Sequence, residues 1–171
     1  MSAKVYNVLF LCTGNSARSI LAEAIVNRLG GGRFIGFSAG SHPSGEVNPL
    51  ALALLRRLNL PVVGLRSKSW DEFAALNGIR FDFVITVCDN AAGEACPVWL
   101  GHPMTAHWGI PDPAAVTGTE LEKKLAFQQA FAAMQARIER FLSLPIESIE
   151  KLRLKECLDE IGRTPPEPAQ P

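Results

Sequence analysis

Val5-Tyr-Asn-Val-Leu-Phe-Leu11 runs directly into Cys12-Thr-Gly-Asn-Ser-Ala-Arg18-Ser19, and Leu21, Ala24, Ile25 and Leu29 follow at helical spacing. The opening stretch is a near-continuous apolar run, the pattern of a strand buried on both faces of a parallel sheet. Gly30-Gly31-Gly32 stops the helix. The chain then repeats this alternation. Arg33 to Ser38 reads as a second strand. Asn48-Pro49 opens a second helix with the stripe Ala51, Leu54, Leu55 and Leu58. Trp70 to Leu76 reads as a short third helix, Phe83 to Val87 as a third strand and Met104 to Trp108 as a fourth. Thr119-x-x-Glu122 is a capping-box pattern, opening a long helix with Leu121, Leu125, Phe131, Met134, Ile138 and Phe141 inward. Pro145 ends it, and Ile149, Leu152, Leu158 and Ile161 suggest one more amphipathic helix. The order predicts a small doubly wound α/β domain, a parallel four-stranded sheet flanked by helices. Ligands in such sheets bind beyond the carboxyl ends of the strands, which places Cys12, Cys88 and the loop after Trp108 on one rim.

Length and composition fit this reading. The chain has 171 residues, 47% of them hydrophobic and 20% charged, enough to bury a core without disulfide or metal staples. Residues 1–143 are expected to form the main α/β domain, 144–162 an appended helix, and 163–171 a Pro-rich disordered tail. Seventeen basic residues balance 17 acidic ones, which argues against a nucleic-acid or anionic-membrane partner held by bulk charge. No apolar run approaches the roughly 18 residues of a membrane span. The first residues lack the pattern of a secretory signal, so a cytoplasmic location is expected. In that setting Cys12, Cys88, Cys96 and Cys157 point to catalysis, redox chemistry or metal binding rather than permanent pairing.

Cys12-x5-Arg18 has little meaning as a bare spacing, but here it leaves a strand, opens a helix and contains Gly14, Asn15, Ser16 and Ser19. Such a turn aims consecutive amides into one concavity suited to a tetrahedral oxyanion, with the helix N-terminus adding partial positive charge. Thr13, Gly14, Asn15, Ser16, Ala17, Arg18 and Ser19 are therefore the candidate oxyanion-binding residues. The Arg18 fork suits two oxyanion oxygens, and the same donors would stabilise a thiolate on Cys12. Ser16 and Ser19 are candidates to donate to the sulfur or the loop. Gly14 and Asn15 are the residues best able to take left-handed backbone angles. The plainer reading, a buried cysteine and a surface arginine, leaves the Gly, Asn and Ser unexplained.

The Cys12–Ser19 loop, with the Leu21-Ala-Glu-Ala24 that follows it, resembles the phosphate loop of the low-molecular-weight protein tyrosine phosphatases, and more closely that of the arsenate reductases built on their flavodoxin-like fold. Phe37-Ser-Ala-Gly40, Val87-Cys88 with Cys96-Pro97, and His107-Trp-Gly-Ile-Pro-Asp112-Pro-Ala114 extend the likeness over roughly Val5 to Leu142. The resemblance implies that Cys12 is the nucleophile and Asp112 the general acid. It also implies that Cys88 resolves the Cys12–arsenic adduct as a Cys12–Cys88 disulfide. Cys96 then attacks Cys88, and an external thiol donor opens the product. Thioredoxin is the expected donor, with a glutaredoxin-type or glutathione system as the alternative. Arsenate is the implied substrate, phosphate a weak competitor, and no cofactor is required. Taken alone, Asp112-Pro113 would read as an ordinary turn, and Cys88 and Cys96 as unrelated structural cysteines.

Some positions depart from the family pattern. Ala17 stands where many of these reductases have a further cysteine. The Cys88–Cys96 spacing is one residue longer than in the thioredoxin-coupled members. Some members bind a monovalent cation through residues matching Asn15, Glu23 and Ser38 and an acidic residue, where this chain has Lys68. The Lys68 ammonium either replaces that cation and pairs with Glu23, or is a solvated surface group. Pro113-Ala-Ala-Val116 carries no aromatic residue to stack on a phosphotyrosine ring, which points to a small inorganic oxyanion. Two other functions compete. One is a phosphatase acting on phosphoproteins or small phosphoesters, which needs only Cys12 of the thiols. The other is a zinc-bound or redox-sensing oxyanion-binding module, with Cys88, Cys96, His102 and His107 as the zinc ligands. His42 reads as a surface loop residue and Cys157 as packing.

Overall fold

The structure is a computed structural model that describes residues 4–74, 78–89 and 99–163. Four parallel strands, β1 (Tyr6–Leu11), β2 (Phe34–Ala39), β3 (Phe83–Thr86) and β4 (Met104–His107), lie in the order β2-β1-β3-β4. The chain steps from β1 to β2 on one side and then crosses back over β1 to β3 on the other, so the carboxyl end of β1 is the topological switch point where such folds place a ligand. Leu11 pairs with Ala39 and with Thr86, and Thr86 pairs with His107. The residues that follow, Cys12, Gly40, Val87 and Trp108, therefore emerge on one rim.

The alternation of a strand sorts β1 between two cores. Val8 and Phe10 join the main cluster with Ile20, Leu21, Ile25, Phe127, Phe141 and Trp108; Leu9 and Leu11 join a smaller one with Phe73, Phe81 and Trp99. Each such fully buried side chain contributes about 1.5–3 kcal/mol, which is why Tyr6–Leu11 forms a central strand, with Val5 outside it and exposed.

Four α-helices occur among the described residues: α1 (Arg18–Leu29), α2 (Pro49–Arg57), α3 (Glu120–Leu142) and α4 (Lys151–Arg163). The Asn48 side chain caps α2 by accepting from the Leu50 amide at 2.9 Å, and Pro49 opens it. Thr119 caps α3 by accepting from the Glu122 amide at 3.1 Å.

Several expectations are corrected. The expected third helix is a short 3-10 turn, Trp70–Phe73, because the chain extends again at Ala74; residues 75–77 lie outside the described set. Leu121 and Leu125 are exposed, and the inward stripe of α3 is Phe127, Phe131, Met134, Ile138 and Phe141. In α4 Leu152 is exposed and Leu154 is buried in its place beside Leu158 and Ile161. Leu58 lies past the end of α2 and is half-exposed.

The segment after Leu144 covers the sheet at β4. The Trp108 indole donates to the Leu158 carbonyl at 2.9 Å, and Lys155 reaches the Thr105 carbonyl. Gly162 lies so close to the His107 carbonyl that a Cβ there would overlap it. No described helix is long and apolar enough to cross a membrane. The tail from residue 164 lies outside the described set.

Candidate active site

Cys12 leaves β1 into a loop whose Thr13, Gly14 and Ser16 carbonyls are tied to the chain around it. The Thr13 carbonyl accepts from His42, the Gly14 carbonyl from Ser44 and the Ser16 carbonyl from Asn48, each backbone bond at 2.9 Å. With these carbonyls turned outward, the loop amides can face an anion. Asn15 supplies the left-handed turn, at φ 45°, whereas Gly14 does not adopt a left-handed conformation. Gly40 makes the close approach possible: a Cβ there would overlap the Cys12 and Thr13 carbonyls.

Behind the loop lies a directional chain of buried hydrogen bonds. The Lys68 amide donates to Asn15 Oδ1 at 2.9 Å, and its ammonium lies 3.5 Å from the same oxygen. That fixes the orientation of the Asn15 amide, whose Nδ2 donates to Ser19 Oγ at 2.8 Å. Ser19 Oγ sits 2.9 Å from Cys12 Sγ, so the hydroxyl hydrogen left over points at the sulfur. Ser19, not Ser16, is the hydroxyl that meets the thiol.

Lys68 is buried rather than a solvated surface group, at 7% exposure. Its ammonium donates to the Ser38 carbonyl at 2.8 Å and lies 3.8 Å from Glu23 Oε1, which accepts from Ser38 Oγ at 2.5 Å. Burial pushes the Glu23 carboxyl up, opposed by the Ser38 hydroxyl and Lys68. Burial also pushes the Lys68 ammonium down, opposed chiefly by Glu23.

Arg18, the first residue of α1, donates from Nη1 to the Ile110 carbonyl at 3.1 Å and holds Nη2 3.6 Å from Asp112 Oδ2. Asp112 Oδ1 accepts from the Ala114 amide at 2.9 Å, which leaves Oδ2 directed toward the arginine. Arg137 on α3 donates to the Gly109 carbonyl at 3.0 Å. The loop after β4 is thus bolted by two arginines on successive carbonyls.

Cys88 is 2% exposed, with its sulfur 3.3 Å from the Thr13 amide, which donates to it. A second thiol therefore lies against the residue that follows Cys12. Cys96 and the stretch Asn90–Ala95 lie outside the described residues, and with Cys96 goes one member of the four-residue zinc set. Among the described residues no three His, Cys, Asp or Glu side chains gather to hold a metal.

Residues 7–155 match the family described as low molecular weight phosphotyrosine protein phosphatase. The arsenate reductase of Oceanobacillus iheyensis is 38% identical over 141 residues, covering 82% of this chain and 96% of the relative. The chain belongs to this family. A solved structure described as an arsenate reductase in the intermediate state has 27% identity and a TM-score of 0.63, covering 81% of this chain and 98% of that one. A Corynebacterium glutamicum thioredoxin-dependent arsenate reductase has the same fold at 23% identity and a TM-score of 0.58. The match covers 81% of this chain and 63% of that one.

In this family member hydrogen bonds tie Cys12 to Ser19 and through it to Asn15, and Thr13 to Cys88, with Lys68, Ser38 and Glu23 behind them, while Arg18, next in sequence to Ser19, faces Asp112. The family match also runs into α4, beyond the Leu142 limit read from motifs. Sequence reasoning missed two features. Arg137 is a charged residue three positions after Met134 on the buried stripe of α3, a signal that a buried carbonyl needed a donor. The other is the partnership of His107 with Asp89.

Proposed function

We propose that the protein is an arsenate reductase working by a thiol relay. The observation that carries this reading is the Cys88 sulfur, 3.3 Å from the Thr13 amide beside the nucleophile; phosphate-ester hydrolysis has no use for a second thiol there. The names of the relatives support the substrate.

Arsenate sits in the amide nest with two oxygens on Arg18. The Cys12 thiolate, held by Ser19, attacks arsenic, and an arsenate oxygen leaves as water with a proton from Asp112. Cys88 then attacks Cys12 Sγ. The sulfur–arsenic bond breaks with its electron pair staying on arsenic, which falls from the +5 to the +3 state and departs as arsenite. Two thiols have become one disulfide, so the two electrons balance. Cys96 attacks Cys88, restoring Cys12, and an external dithiol of the thioredoxin type reduces the Cys88–Cys96 bond. Phosphate has the shape and charge to compete in the nest, but Cys88 cannot reduce phosphorus.

The test compares arsenate-dependent NADPH oxidation, coupled through thioredoxin and its reductase or through glutathione and glutaredoxin, with hydrolysis of an aryl phosphate. Cys12→Ser is expected to abolish both reactions. Cys88→Ser is expected to abolish reduction and spare hydrolysis. Full-rate reduction by Cys88→Ser sinks the relay.

A further inference from the structure

The His107 ring stands between the end of β3 and the chain just beyond Cys88. Its Nδ1 lies 2.7 Å from Thr86 Oγ1, and its Nε2 lies 2.8 Å from Asp89 Oδ1. An ionised carboxylate only accepts, so Nε2 carries a hydrogen to Asp89; in the neutral ring Nδ1 accepts from the Thr86 hydroxyl. Thr86 and His107 face each other in the β3–β4 register, so the ring is mounted on two paired strands. Gly109 is the opening into which this contact fits. A Cβ there would come 2.7 Å from Asp89 Oδ1 and 2.8 Å from His107 Nε2.

The Asp89 side chain is 93% exposed. An ion pair so wetted adds little to global stability. Its consequence is local, because Asp89 is bonded in sequence to Cys88, whose sulfur must lie against the phosphate loop for the relay to begin. We infer that His107 is a positioning residue for the resolving thiol. By gripping Asp89 from the rigid β3–β4 pair, it holds Cys88 at the Thr13 amide. This inference rests on the relay proposed above.

The relay isolates the step. In a Cys96→Ser background, arsenate should convert the enzyme to the Cys12–Cys88 disulfide and stop there, and the rate of thiol loss reads the Cys88 attack. His107→Ala and Asp89→Ala are each expected to slow that rate by about tenfold, within what a small misplacement of a reacting group costs. The double variant should be no slower than either single one, because both break one contact. His107→Gln, which keeps a donor toward Asp89, should recover part of the rate. Aryl phosphate hydrolysis and the melting temperature should stay at wild-type values. Wild-type rates of disulfide formation in both alanine variants overturn the inference, as does an equal fall in hydrolysis, which would mark a general structural role. Failure of the relay itself is distinguishable, because Cys88→Ser would then leave reduction intact.

Discussion

Lys68 and Glu23 form an ion pair that is largely shielded from solvent, at 6% and 13% side-chain exposure, directly behind the Cys12 loop. Removing one partner of such a pair strands the other charge, at a cost of about 3–5 kcal/mol. Lys68→Met is therefore expected to lower stability by about 3 kcal/mol at neutral pH, measured by urea denaturation. It should also slow the Cys12 step, because Asn15 loses one of the donors that orient it toward Ser19. The pH dependence follows from the directions of shift. A Glu23 carboxyl raised by burial binds its proton more tightly in the folded chain than in the unfolded one. Its stabilising contribution is complete below the ordinary carboxyl range, near pH ~4, and is lost as pH rises through the folded value. The melting-temperature difference between wild type and Glu23→Gln should accordingly shrink as pH increases from about 4. A difference that grows with pH would refute the burial argument. The ammonium already lies among the Ser38, Asn15 and Glu23 oxygens, so potassium should change neither melting temperature nor activity.

At the scale of elements, the parallel sheet and the loop it carries were legible because their signals are local. A continuous apolar run, a Gly-Asn-Ser turn and an Arg at the helix start each need only neighbouring residues to be understood. Helix phase was less legible, since a leucine counts equally on either face until the sheet is in place. Leu125 precedes Phe127 by two residues and Leu121 by six, rotations of about 200° and 240° at about 100° per residue, so both point away from the core. The larger Phe127, with Phe131, Met134, Ile138 and Phe141, takes the buried face. The same two-residue offset turns Leu152 out and Leu154 in. Phe127→Ala should cost about 3–5 kcal/mol, and Leu125→Ser less than about 0.5 kcal/mol, both read from chemical denaturation. Similar costs at the two positions would mean that the stripe is out of phase. The loop that carries Asp112 was half legible: Asp112 stood out beside its motif. Its fastening by Arg18 and Arg137 on adjacent carbonyls depends on helices remote in sequence.

Across the whole molecule, balanced charge leaves the proposed oxyanion site to backbone dipoles and one arginine, and cohesion to a core that does not stop at the Cys12 and Asp112 motifs. Ile146, Leu154, Leu158 and Ile161 belong to the same buried cluster as Val8, Phe10, Trp108 and Phe141. Helix α4 therefore closes the β4 flank of the sheet, and the loop to Asp112 begins at the end of that strand. Two experiments separate cohesion from chemistry. Ending the chain at Leu144 would uncover Trp108 and leave its indole without the Leu158 carbonyl; the product should lack a cooperative melting transition. The milder Leu158→Ala should cost about 2–5 kcal/mol through its cavity, yet retain near-wild-type reduction per folded molecule at low temperature, because α4 packs on β4 and the core rather than on the nest. If Leu158→Ala instead loses activity while its melting temperature holds, α4 acts on the site and not merely on the fold. If the truncated chain melts cooperatively with full activity, residues 145–163 are an appendage in the energetic sense as well as in sequence.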